Sequence, residues 1–297
     1  MQFAGIRASH YRPLSKNDIE NIHGASLDIL NDVGFVVHSD KCRKALEDAG
    51  AAVDGKRVRV KKALVERARA AAPSSVTLYG RAPGLDLHLE KNRVHFGTGG
   101  TVIQVLDLDG NYRSALLSDL AEICRLVEAL DSIHFIVLPT YPTELHTDHV
   151  DLNRFFTGLR FSRKHIMGGV YTHEGIEQVI QLGEIVAGGA QELRERPILS
   201  FIICLISPFI VDETYGDFLH QICSHGLPVV ISLEPLSGAT APVTLAGNLV
   251  QWSAEVLGGL VLCQSVRAGT PTIIGSVATA CNLRTMDYLS GAVEMAF

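Results

Sequence analysis

The sequence lacks a C-x-x-C pair, a G-x-S-x-G elbow, a P-loop and an H-E-x-x-H helix. Four common routes to redox, nucleophilic, nucleotide and zinc chemistry are therefore closed. The nearest approach to a zinc helix, His173-Glu-Gly-Ile-Glu177, has a glutamate where the second histidine belongs. The six cysteines at 42, 124, 204, 223, 263 and 281 are scattered and read as small buried hydrophobes of a reducing compartment. The longest apolar stretch, Ile198 to Val211, is 14 residues and holds Ser200, Ser207 and Pro208. That is too short to span a bilayer, so no membrane partner is expected. The first 15 residues contain no apolar segment of the signal-peptide kind, which makes the cytoplasm the default expectation. No basic patch with interleaved aromatics is present, which argues against nucleic acid.

What is present points to a packed α/β chain. Hydrophobic residues are 47% and charged residues 20% of 297, which excludes wholesale disorder. The net charge of −6 hides an asymmetry: residues 1–115 carry 17 basic and 13 acidic residues, and 116–297 carry 9 and 19. Solvated helix faces explain the acidic part, although its field would also favour cationic ligands.

The texture changes near residue 116. Before it, helices are predicted over 15–33, 39–49 and 61–72, the first opened by a Ser15/Asp18 capping pattern and closed by Gly34. Short alternating strands follow at 76–79, 85–89 and 94–96, with a hairpin over 101–116 turning at Asp109-Gly110. After it, helices at 118–130, 147–161, 173–187, 212–224 and 244–268 alternate with apolar strands starting near 133, 165, 198, 227 and 271. Strands apolar on both faces at this period indicate a parallel sheet, either doubly wound or a (β/α) barrel. A dinucleotide fold wants glycines after its first strand, but the chain there reads PTYPTELHTDH. The expected division is 1–116, a helical and antiparallel-strand region, and 117–297, a partial (β/α) barrel.

A barrel carries its chemistry at the carboxyl ends of its strands. Tyr141 lies there after the first strand, and Tyr171 after the second, preceded by Gly168 and Gly169. Tyrosine faces suit quaternary ammonium groups, and paired glycines allow close approach. Packed loops are the plain alternative. Glu234, on an otherwise apolar fourth strand end, is the candidate catalytic carboxylate, with a structural ion pair as its alternative. It leads into a small-residue loop containing Gly238, Ala239, Thr240, Pro242 and Thr244, over which a large flat ligand or a partner has room. His146 and His149 form H-x-x-H, but no third ligand is evident, so no metal site is assigned.

At these residues the chain resembles the trimethylamine methyltransferase family of corrinoid-dependent amine methyltransferases. The likeness runs through APSSVTLYGRAP (72–83), HFGTGGT (95–101), LPVVISLEPLSGATAPVTLAG (227–247) and AEVLGGLVLCQSVRAGTPTIIG (254–275), the third stretch being the most specific. It implies a (β/α)8 TIM barrel and methyl transfer from a methylated amine, such as trimethylamine or glycine betaine, to the cobalt of a separate corrinoid protein. The corrinoid is then carried by that partner, none being tightly bound to this chain. It also places the pyrrolysine position of some members beyond Phe297.

Two alternatives stay open: a metal-dependent TIM-barrel hydrolase or lyase, and an inactive fragment with only a partner-binding role. Five strands are fewer than the eight of a closed barrel. The sequence therefore predicts an incomplete barrel, truncated at its C-terminus, with an apolar edge that favours self-association into a homo-oligomer.

Overall fold

A computed structural model describes residues 6–7 and 12–296. The chain divides into two compact units, Met1–Ala8 with Ser74–Ile202, and Ser9–Pro73 with Ile203–Phe297.

In the first unit, helices Leu117–Ala129, Thr147–Phe161 and His173–Ala187 alternate with parallel strands Phe135–Val137, His165–Gly168 and Leu199–Cys204. The last of these strands reaches past Ile202 into the second unit. Ile136, Leu138, Ile166, Leu199 and Phe201 are fully buried, as a sheet covered on both faces requires. The hairpin forms as the Asp-Gly signal predicts: Gln104–Leu106 pairs antiparallel with Tyr112–Ser114, and Gly110 adopts φ +85°. Asp119 caps the first helix by accepting the Leu116 N–H, and Arg113 donates to both of its oxygens at 2.7 and 2.6 Å. That bidentate pair fastens the hairpin to the helix behind it.

In the second unit, the long helix Leu245–Val266 packs against helices Lys16–Asp32, Asp40–Asp48 and Lys62–Ala71. It is long and apolar enough to cross a membrane by length and composition, yet 67% of its apolar window is buried within the protein. The capping box at Ser15 and Asp18 is formed in both directions. Gly34 turns at φ +65°, where an added Cβ would collide with the Val58 carbonyl, so glycine is required. Parallel strands Val229–Leu233 and Thr272–Ser276 pair over five residues, and the Leu205 N–H donates to the Ser232 carbonyl. Ile274 is 47% exposed on the last of these strands.

All five expected parallel strands are therefore present, three described with the first unit and two with the second. Several elements escaped the sequence reading. Phe35–Val37, Arg57–Arg59 and Ala52–Asp54 form a small sheet that Ile210–Val211 joins in parallel. Strands Thr279–Asn282 and Asp287–Tyr288 form an antiparallel pair after the fifth parallel strand.

Candidate functional site

In the first unit the structure brings Tyr141 and Tyr171 together. Their rings meet edge to face with centroids 5.2 Å apart at 75°. Both side chains are half-buried. The Tyr141 N–H donates to the Val102 carbonyl at 2.8 Å, so the loop after the first strand is tied to the 98–103 segment.

Two buried charges behind the pair were not foreseen. Arg154, with no exposed surface, donates from Nε to the Thr140 carbonyl at 2.9 Å. Its Nη2 donates to Thr101 Oγ1 at 2.9 Å and to the Leu138 carbonyl at 3.0 Å, and its Nη1 to the Gly169 carbonyl at 3.2 Å. The guanidinium also lies 5.4 Å from the Tyr171 ring centroid. Burial lowers its pKa. Asp151, equally buried, accepts at Oδ2 from the Tyr171 N–H at 2.8 Å and the Thr172 N–H at 3.0 Å. Burial raises its carboxyl pKa, and these hydrogen bonds oppose the rise. The sequence did hold a signal: Arg154 falls four residues after Val150 and four before Gly158, on the helix's apolar stripe.

The two glycines differ in setting. Gly168 is buried, and a Cβ there would stand 2.9 Å from Leu138 Cδ1 and 3.1 Å from Phe155 Cζ. Its smallness serves the packing of sheet against helix. Gly169 is half-buried, with the Ile202 carbonyl 3.7 Å from a Cβ position, so this position has more room.

Glu234 and the small-residue loop belong to the second unit. Glu234 is exposed, and no ion pair joins it among the described residues. Its charge reaches Cys204 and Tyr288, raising both pKa values after the larger effect of burial. The loop is a self-bonded turn. The Leu236 carbonyl accepts from the N–H groups of Ala239, Thr240 and Ala241, each at 3.0 Å, and Gly238 adopts φ +89°. Thr244 caps the long helix by accepting the Gly247 N–H at 3.2 Å, against which Pro242 also packs. The helix in turn holds the loop, because Asn248 donates to the Pro235 carbonyl and Ser237 Oγ, and Gln251 to the Thr240 carbonyl. Ala239, Thr240, Pro242 and Thr244 are exposed, and so is Val243 at 70%. An apolar cavity of about 460 Å³ lies beside the loop, lined in part by Leu14, Ile22, Ser237, Asn248 and Thr279.

His146 is the N-cap of helix Thr147–Phe161 and His149 stands on its first turn, with His146 Nδ1 3.2 Å from Asp148 and largely exposed. No cluster suited to a metal ion occurs among the described residues.

The sequence profile of the trimethylamine methyltransferase family (MTTB) matches residues 3–296. The chain belongs to this family. Its similarity to the trimethylamine methyltransferase MttB of Desulfitobacterium hafniense (strain DSM 10664 / DCB-2) is 31% identity over 284 residues, 95% of this chain and 57% of that protein. Glycine betaine methyltransferase of Desulfitobacterium hafniense (strain Y51) is 28% identical, over 96% of this chain and 60% of its own length. Trimethylamine methyltransferase MttB of Methanosarcina barkeri (strain Fusaro / DSM 804) is 28% identical, over 99% and 61%. The chain thus spans about three-fifths of the curated relatives it matches. Relatives named for a tertiary amine and for a quaternary amine stand at similar identity, so family membership alone does not choose the donor.

Proposed function

We propose that this protein moves a methyl group from a methylated amine, either trimethylamine or a quaternary amine such as glycine betaine, to the cobalt of a corrinoid protein. The observation that carries the reading is the family match across residues 3–296. Residues 117–297 are read as an incomplete (β/α)8 barrel that follows the region 1–116 in sequence, with its chemistry at the strand ends.

Cobalt is the acceptor here, a substrate borne by the partner, and when reduced it supplies the electron pair of the new bond. The N–CH3 bond breaks with its electrons staying on nitrogen: a quaternary donor leaves as a neutral tertiary amine, and trimethylamine, protonated on nitrogen, leaves as neutral dimethylamine. What this chain contributes is placement. Tyr141, Tyr171 and Gly169 provide a half-buried aromatic setting for a methylated ammonium group, and Gly168 sets the sheet packing beneath it. Glu234 is the candidate carboxylate for holding or relaying charge. Half-buried Gly238 and the exposed residues Ala239, Thr240, Pro242 and Thr244 form the surface offered to the corrinoid protein.

The test uses purified protein, a reduced corrinoid protein and each amine in turn, following the cobalt absorption change. Methylation that requires one of these amines supports the reading. Absence of transfer with every methylated amine overturns it.

A further inference from the structure

Helix Thr147–Phe161 places two charged residues one turn apart on its buried side. Burying charge is costly, and apolar groups of similar size often give a core of equal or greater stability. Stability alone therefore does not account for Asp151 and Arg154. No carboxylate comes within ion-pair distance of Arg154 among the described residues. Its donors go instead to Thr101 Oγ1 and to backbone carbonyls at the ends of the first two strands.

The partners of the two side chains follow a pattern. Arg154 holds the carbonyl of Thr140, the residue directly before Tyr141, and the carbonyl of Gly169, two residues before Tyr171. Asp151 holds the N–H of Tyr171 itself and of Thr172. One helical turn thus fixes the backbone beside both tyrosines.

We propose that Asp151 and Arg154 form a positioning clamp that sets the spacing of the Tyr141 and Tyr171 rings, and through them the placement of the methylated amine. This rests on the function proposed above. Neither charged residue touches the substrate. The clamp acts through the tyrosines, and a displacement of about 1 Å at a reacting group lowers rate about a hundredfold.

The experiment compares Arg154→Lys, Arg154→Met and Thr101→Val in the purified protein. Thr101→Val removes the Oγ1 acceptor of Nη2, along with that hydroxyl's long 3.4 Å donation to the Leu138 carbonyl, and leaves both charges in place. Melting temperature, kcat, the KM for the amine and the KM for the corrinoid protein are measured for each. The clamp predicts a drop of about a hundredfold in kcat/KM for the amine with Arg154→Met. It predicts a smaller drop with Thr101→Val and partial recovery with Arg154→Lys relative to Arg154→Met. The KM for the corrinoid protein stays unchanged throughout. If the arginine variants fail to fold, Thr101→Val decides. A folded Thr101→Val with wild-type kcat and amine KM overturns the clamp while the function stands. Wild-type protein that transfers no methyl group from any amine overturns the function, and the clamp with it.

Discussion

The edge of one ring meets the face of the other where Tyr141 and Tyr171, thirty residues apart in sequence, come within 5.2 Å at the ends of neighbouring parallel strands. A cation placed against such a pair is held by ring quadrupoles and not by a formal charge. Replacing Tyr141 by alanine is therefore expected to raise the amine KM by roughly five- to thirtyfold, given about 1–2 kcal/mol for a desolvated cation–π contact. Tyr141→Phe keeps the ring and should stay within about twofold of wild type. Steady-state kinetics with the amine varied at saturating corrinoid protein provide the check. A phenylalanine variant as impaired as the alanine variant would assign the effect to the hydroxyl.

Gly168 gives a prediction about packing. A methyl group there meets Leu138 and Phe155 at 2.9 and 3.1 Å. Gly168→Ala should destabilise the protein by about 1–3 kcal/mol, the usual cost of overfilling a packed core. Gly169→Ala, with only the Ile202 carbonyl at 3.7 Å, should cost less. Urea denaturation of the two variants measures the difference, and equal stabilities would contradict the packing seen here.

His165 should make stability depend on pH. It has no exposed surface, and burial lowers its pKa to about 4 from an ordinary 6.5. Its ring nitrogens lie 3.1 Å from the Tyr79 carbonyl and 2.8 Å from Ser200 Oγ. Between those two pKa values the unfolded chain binds the extra proton, so stability is full above pH 6.5 and falls as pH drops toward 4. The loss is on the order of 3 kcal/mol across that window. His165→Asn should show a shallower fall over the same range, measured by denaturation at several pH values. An unchanged slope would mean that the imidazole is not held neutral.

Much of this was legible in sequence because it rests on local periodicity. Helices Thr147–Phe161 and His173–Ala187 lie where the 3.6-residue pattern put them, and the five strand starts follow from apolar runs of βα spacing. Ser15 and Asp18 announce their capping box by spacing alone. Non-local pairings were not legible. Phe35–Val37 is a three-residue strand between two helices, and one of its partners, Ile210–Val211, lies more than 170 residues away. The tyrosines could be nominated from their strand-end positions. Arg154 showed only as a charge on the apolar stripe of its helix, and the roles of Arg154 and Asp151 stayed hidden because most of their partners are main-chain groups that carry no side-chain signature.

Glu234 and Cys204 offer a probe of the second unit. Cys204 is the one exposed cysteine of the six, and its thiol pKa is raised by desolvation first and by the Glu234 carboxylate second. Removing the carboxylate charge in Glu234→Gln should lower that pKa and modestly speed reaction with a disulfide reagent near neutral pH. Thiol titration of the native protein follows the rate. A slower or unchanged reaction would show that the two groups do not sense one another.

The most direct test of the central claim uses an amine whose N-methyl groups carry deuterium. The purified protein is incubated with this amine and a reduced corrinoid protein, and the corrinoid is analysed by mass spectrometry. The expected product is one fully deuterated methyl group on cobalt, appearing only when protein and amine are both present. Corrinoid that remains unmethylated, or that acquires an unlabelled methyl group, would contradict it.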